Sequence, residues 1–248
     1  MKFEVRQAGT HRQIRRTPEL GEDEIHIWTV RLDVDEETLG ELEVTLAADE
    51  LERARRFHFA RDRRRFMAGR GTMRELIGGY VQNAPSALEF SYNEFGKPSL
   101  AGAGEALRFN LAHSGELAIL AITRGREVGV DVEELVPARA DRDVARNFFS
   151  ADEVQRLEAM PQSLWAQAFF QCWTRKEAYI KARGKGLSIP LDSFDVSIGS
   201  DEPVAILREA ESAEAGQWRL CDLDLDHGHV GALAAHGWDW KSRLYRCR

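Results

Sequence analysis

Leu107-Arg-Phe-Asn-Leu-Ala-His-Ser-Gly-Glu-Leu-Ala-Ile-Leu-Ala-Ile-Thr123 reads as two strands and their connection. Leu107–Ala112 and Leu117–Thr123 have strand composition, and His113-Ser-Gly-Glu116 between them is short enough to make a hairpin. Outward from it, Val128–Glu133 is a further strand, and Leu88–Tyr92 precedes the turn Asn93-Glu-Phe-Gly-Lys-Pro98, in which Gly and Pro punctuate the chain. Helical spacing of Phe66, Met67, Met73, Ile77 and Tyr80 predicts a helix over 61–80, and 48–54 predicts a shorter one. Residues 1–23 are polar and irregular, followed by an alternating strand over 24–30. Downstream, short helices are expected over 144–149 and 152–159. A long one over 164–183 is stopped by Gly184 and Gly186. Short strands follow at 194–198, 204–207, 218–225 and 230–235. Hairpins mixed with helices, without a regular βαβ run, give an α+β class.

Two stretches echo each other. Arg55-Arg-Phe57 and Arg146-Asn-Phe-Phe149 each precede a charged helix, and His113 and His229 each precede a small apolar strand. Chance similarity explains this as well as two related halves do; related halves would divide the chain at 1–124 and 125–248.

The 248 residues are enough to bury a core without disulfides. Charged residues are 30% and hydrophobic residues 43%, which excludes wholesale disorder. A net charge of −7 argues against a general nucleic-acid binder. The three cysteines, Cys172, Cys221 and Cys247, are far apart and odd in number, which fits a reducing compartment. No apolar run approaches membrane-spanning length and no secretory signal is visible, so a cytoplasmic location is expected.

Val128-Gly-Val-Asp-Val-Glu133 places its valines on one strand face and Gly129, Asp131 and Glu133 on the other. Two carboxylates about 6–7 Å apart along a strand repel unless a cation stands between them. Oxygen-only ligands suit Mg²⁺, while a solvent-facing acidic strand edge is the plain alternative. In the long helix, Trp165, Phe169, Cys172, Trp173 and Ile180 make an apolar stripe that belongs to a core. Glu177 lies at its border, and Lys181 is one turn further on the same face. The pair is either an exposed i,i+4 ion pair or a third metal carboxylate with a cation for phosphate.

Nine arginines (53, 55, 56, 61, 63, 64, 65, 70 and 74) accompany one acid, Asp62, over residues 53–74. Guanidinium forks match phosphate oxygens, so a few of these are candidates for a multiply charged small anion. A solvated basic face is the alternative. His113, beside Ser114 and Gly115 in the expected turn, is a further candidate anion contact.

Phe109-Asn-Leu-Ala-His-Ser114, Gly129-Val-Asp-Val-Glu133 and Trp173-Thr-Arg-Lys-Glu-Ala-Tyr-Ile-Lys181 follow in order. Gly184-Lys-Gly-Leu-Ser-Ile-Pro-Leu-Asp-Ser-Phe194 completes the series, with Arg55-Arg-Phe57 and Gly96-Lys-Pro98 upstream. Over residues 45–235 this resembles the Sfp-type 4'-phosphopantetheinyl transferases. The resemblance implies two pseudo-symmetric α+β halves, each a small mainly antiparallel sheet packed on a long helix, with coenzyme A bound between them. It implies transfer of the 4'-phosphopantetheine arm of coenzyme A to a serine hydroxyl of an apo carrier protein, with Mg²⁺, releasing adenosine 3',5'-bisphosphate. Fatty-acid, polyketide and nonribosomal peptide carriers all remain open as acceptors.

Carried over by position, Asp131, Glu133 and Glu177 resemble the Mg²⁺ ligands. Lys181 resembles the cation beside the pyrophosphate, and His113 a contact to a coenzyme A phosphate. Arg53, Arg65 and Lys97 fall near positions that hold the nucleotide. Ala112 departs from the serine that many relatives carry before the histidine. Glu177 is the candidate base for the serine hydroxyl, directly or through a water. Arg139, Arg142 and Arg146, at helical spacing, are candidates for docking an acidic carrier. A monomer, without nucleic-acid or membrane partners, is expected. A metal-dependent phosphodiesterase and a coenzyme A-binding module without turnover are the two alternatives of other classes.

Overall fold

A computed structural model describes residues 4–7, 17–102, 106–199, 203–209, 216–226 and 228–247. Its first six strands are β1 (Glu4–Gln7), β2 (Glu24–Arg31), β3 (Phe90–Tyr92), β4 (Pro98–Leu100), β5 (Leu107–Ser114) and β6 (Leu117–Arg124). The next six are β7 (Val128–Glu134), β8 (Phe194–Val196), β9 (Ile206–Glu209), β10 (Trp218–Asp222), β11 (His229–His236) and β12 (Lys241–Cys247). The helices are α1 (Glu36–Glu43), α2 (Ala48–Arg55), α3 (Ala60–Val81), α4 (Arg142–Phe148), α5 (Ala151–Glu158) and α6 (Gln162–Arg183). This is the α+β class expected from the sequence.

The chain forms two compact units. One holds residues 2–92, 98–125 and 241–248; the other holds 93–97 and 126–240. In the first, the sheet order is β1-β12-β2-β6-β5, and α3 packs its Met67, Met73, Leu76 and Ile77 against Trp28, Phe109 and Leu120 of that sheet. The β5–β6 hairpin forms as read, but its turn is tighter. The strand runs on to Ser114, and Gly115 alone takes the positive φ of 57°. His113 is therefore a strand residue opposite Ala118, not a turn residue.

Two further elements of this unit differ from the sequence reading. Within the stretch expected to be irregular, Glu4–Gln7 forms β1, while residues 1–3 and 8–16 lie outside the described ones. The terminal segment Lys241–Cys247 is a strand, inserted in parallel between β1 and β2. Its pairing partners lie over two hundred residues away in sequence, so local pattern carries little of the signal.

In the second unit β11 lies between β10 and β7, both antiparallel to it. Helix α6 covers this sheet, with Trp165, Phe169, Phe170, Cys172, Tyr179 and Ile180 buried in its core. The expected apolar stripe is core, with Trp173 partly buried against it. Gly184 ends α6 at φ 66°, a left-handed conformation that glycine adopts without a Cβ penalty. Helix α5 begins with a reciprocal cap: Ser150 Oγ accepts the Glu153 N–H, and Glu153 accepts the Ser150 N–H. No helix among the described residues is long and apolar enough to cross a membrane.

Candidate active site

The acidic strand meets the long helix at Gly129. A Cβ built there would stand 2.2 Å from Ala182 N and 2.3 Å from Ala178 O, so the bare backbone of β7 lies directly on that of α6. Side chains alternate along a strand, so Asp131 and Glu133 share the face that α6 covers. This settles one alternative from the sequence: the acidic face is no solvent-facing edge. Asp131 is only 5% exposed, and Glu133 and Glu177 are partly buried. The valines of the opposite face are buried too. Burial on both faces follows from packing that a single strand's pattern does not reveal.

On α6, Ala178 and Ala182 form the contact with Gly129, and Glu177 and Lys181 flank it one turn apart. Lys181 Nζ donates to Asp131 Oδ1 at 2.5 Å. The other carboxylate oxygen, Asp131 Oδ2, is buried with no hydrogen-bond partner. Burial drives the Asp131 carboxyl up to about 7; Lys181 pulls it back, while Glu177 and Glu133 push it further up. Burial also raises Glu177, opposed by Lys181 and reinforced by Glu133. The three acids thus lie within each other's electrostatic reach, and Lys181 compensates Asp131 and Glu177 in part.

Among the described residues no three His, Cys, Asp or Glu side chains stand in a ready-made metal cluster. The donor set nevertheless suits a hard cation: all oxygen, mutually repelling, with one buried oxygen lacking a partner. Lys181 holds Asp131 in this arrangement, and at 30% side-chain exposure it retains a solvent-facing side.

Lys97 belongs to the same unit. Its ammonium donates to Glu127 at 2.6 Å and to the carbonyl of Ala182 at 2.8 Å, near the C-terminal end of α6. Asn93 Nδ2 donates to Gly184 O at 2.6 Å, so the turn 93–97 grips the end of this helix. A lysine at a helix C-terminus also complements the macrodipole.

The other expected anion contacts lie in the unit built on α3. Arg65 makes a two-pronged pair with Asp33, 2.6 Å on each prong. The guanidinium of Arg53 lies 5.3 Å from the centre of the Phe66 ring, and His113 is exposed at the end of β5. Most of the basic stretch is neutralised locally: Arg56 by Glu52, Arg61 by Asp62, Arg64 by Glu36, and Arg70 and Arg74 by the buried Glu50. Arg74 is 2% exposed and caps the carbonyls of Pro85 and Leu88, which makes it a structural residue. Arg55 and Arg63 are exposed. Arg139 falls in a 3₁₀ turn (Pro137–Arg139) and pairs with Glu134, whereas Arg142 and Arg146 lie on α4. The three therefore do not share one helix, because the chain is extended at Ala140.

Sequence reasoning passed over Gly129 as a packing residue, and it gave Arg175 and Lys176 no role, although both lie in the Trp173–Lys181 run that carries the resemblance. Arg175 is buried, binding Asp222 through both prongs and the carbonyl of Ser197. Lys176 is fully buried beside Glu153. The available signal for Lys176 is its place on the apolar stripe, four residues after Cys172 and three before Tyr179.

Residues 127–234 match the model of the 4'-phosphopantetheinyl transferase superfamily, and residues 35–124 match that of the 4'-phosphopantetheinyl transferase N-terminal region. The chain is 38% identical over 225 residues to the 4'-phosphopantetheinyl transferase HetI of Nostoc sp. strain PCC 7120, covering 90% of this chain and 92% of the relative. It is 35% identical over 161 residues to the transferase Sfp of Bacillus subtilis strain 168, covering 65% and 70% respectively. A phosphopantetheinyl transferase of Thraustochytrium sp. is 31% identical over 216 residues, covering 82% and 75%.

Proposed function

Because this chain belongs to the 4'-phosphopantetheinyl transferase superfamily, whose members transfer the arm of coenzyme A to carrier proteins, we propose that Asp131, Glu133 and Glu177 hold the divalent cation of that reaction. The observation that supports this reading is the packing of Gly129 on α6, beside which Asp131, Glu133 and Glu177 influence one another electrostatically and Asp131 Oδ2 is buried without a hydrogen-bond partner. Mg²⁺ bound there supplies charge neutralisation for a pyrophosphate.

The chain's own residues do the rest. Lys181 exchanges Asp131 for the pyrophosphate oxygens and offsets the charge that builds as the leaving group departs. Glu177, whose proton affinity is raised by burial, takes the proton of the carrier serine. The serine oxygen bonds to the phosphorus of the pantetheine phosphate, the bridging P–O bond breaks, and adenosine 3',5'-bisphosphate leaves. His113, Arg53 and Arg65 bind the phosphates and nucleotide of coenzyme A, with Lys97 as a further nucleotide contact. Arg139, Arg142 and Arg146 receive an acidic carrier. The protein works as a monomer in the cytoplasm, without nucleic-acid or membrane partners.

The test is to incubate the protein with coenzyme A, Mg²⁺ and a panel of apo carriers, and to weigh each carrier. Gain of the phosphopantetheine mass, abolished by EDTA and lowered about 10²–10⁴-fold by Glu177→Gln, is the expected result. A normal rate for Glu177→Gln removes that residue from the base role, and transfer undiminished by EDTA removes the metal.

A further inference from the structure

We propose that Lys176, one residue before Glu177, is a positioning residue for the transfer reaction: its buried pair with Glu153 sets the rotation and axial position of α6. The proposal rests on the reading of Asp131, Glu133 and Glu177 as cation ligands.

The ammonium of Lys176 is 0% exposed, and three acceptors surround it. Glu153 Oε2 stands at 2.7 Å, the carbonyl of Leu191 at 2.7 Å and that of Phe194 at 2.5 Å. An ammonium has three protons, so each finds a partner. Glu153 is equally occupied: Oε2 also accepts the Ser150 N–H at 3.0 Å, and Oε1 accepts the Val196 N–H at 2.8 Å. The network joins α6 to the N-terminus of α5, to the 3₁₀ turn Leu191–Ser193 and to β8 that follows it.

Such a network is a poor device for stability alone. Desolvating two charges offsets much of their attraction, and apolar residues of similar volume often serve as well. Directional bonds do what a methionine in the same space cannot: they hold a helix against rotation. Side chains stand about 5–6 Å from a helix axis, so about 10° of rotation moves the carboxylate of Glu177 by about 1 Å. Metal–ligand distances tolerate about 0.2 Å, and Mg²⁺ demands near-octahedral geometry. The contact at Gly129 sets how closely α6 approaches β7; Lys176 sets which way α6 faces once there.

The experiment replaces both partners, Lys176→Met with Glu153→Gln, so that no unpaired charge is left buried. Mn²⁺ binding is read directly by electron paramagnetic resonance of the free ion, with coenzyme A present and no carrier. The double variant is expected to keep native circular dichroism and to bind Mn²⁺ about tenfold more weakly than the parent, within the range of supporting-residue losses. Its kcat falls while KM for the carrier stays unchanged, and excess Mn²⁺ restores part of the rate. A folded double variant whose Mn²⁺ affinity lies within twofold of the parent overturns the positioning role. Failure of the parent itself to bind Mn²⁺ overturns the ligand reading instead. Should the double variant not fold, Glu153→Gln alone is measured. A weakening of threefold or more supports the proposal, and a smaller one refutes it.

Discussion

Gly129→Ala tests the contact on which the site is built. The new Cβ would sit 2.2 Å from Ala182 N, 2.3 Å from Ala178 O and 2.8 Å from Ala182 Cα. Ordinary contact begins at 3.4 Å, so α6 and β7 must separate by about 1 Å. The atoms in the way are helix backbone, which cannot swing aside as a side-chain tip does. Overpacking costs about 1–3 kcal/mol, and this site belongs at the upper end. The same separation draws Glu177 and Lys181 away from Asp131 and Glu133, and a misplacement of about 1 Å costs roughly 10²-fold in rate. Urea unfolding followed by tryptophan fluorescence measures the first quantity, and carrier modification followed by mass spectrometry the second. Gly40→Ala is the control: it lies within α1 with nothing inside 4 Å, and should stabilise the protein by about 0.5–1 kcal/mol without changing turnover. Gly129→Ala within about 0.5 kcal/mol of the parent, together with a kcat/KM within threefold, would refute the argument.

Burial pushes Cys221 and Cys247 up to about 12 and raises Cys172 well above the usual thiol range, so native protein at pH 8 should react slowly with Ellman's reagent and release three thiols on unfolding. The native state keeps these protons where the unfolded chain loses them, so thiol linkage lowers stability as pH rises from about 9 towards 12; thiol-linked stability that is flat over that range contradicts the assignment. Arg65→Ala should raise KM for coenzyme A about tenfold while changing stability by less than about 1 kcal/mol, since its partner Asp33 is half exposed; an unchanged KM removes Arg65 from the nucleotide site. The Arg65 hydrogen bond holds Asp33 below its usual pKa, so this pair stabilises the fold above that usual value and the contribution fades as pH falls through the depressed one. Reversing the charge of Arg139 and Arg146 should raise KM for the carrier and leave KM for coenzyme A alone, and equal effects on both reject docking. Arg142 is less suitable for that test because its guanidinium stacks on Trp165 at 4.5 Å.

The sequence by itself determined what repeats locally. Apolar periodicity located α3 and α6 within a few residues, Gly184 marked the end of α6, and the β5–β6 hairpin was evident from two apolar runs around a short polar break. It also carried the chemical identity of the candidate site, because oxygen ligands and a nearby lysine are a property of residue type and spacing. Only the tertiary structure decided how those residues are used. Strand β12 depends on partners at the other end of the chain, and Gly129 looks like any small residue until the backbone of α6 lies on it. Nothing in the linear string separates Arg74 or Arg175 from a solvated charge, yet both are buried, as is Lys176. Whether a charge meets water, an anion or a carboxylate depends on what long-range packing brings against it, and composition and spacing do not encode that distance.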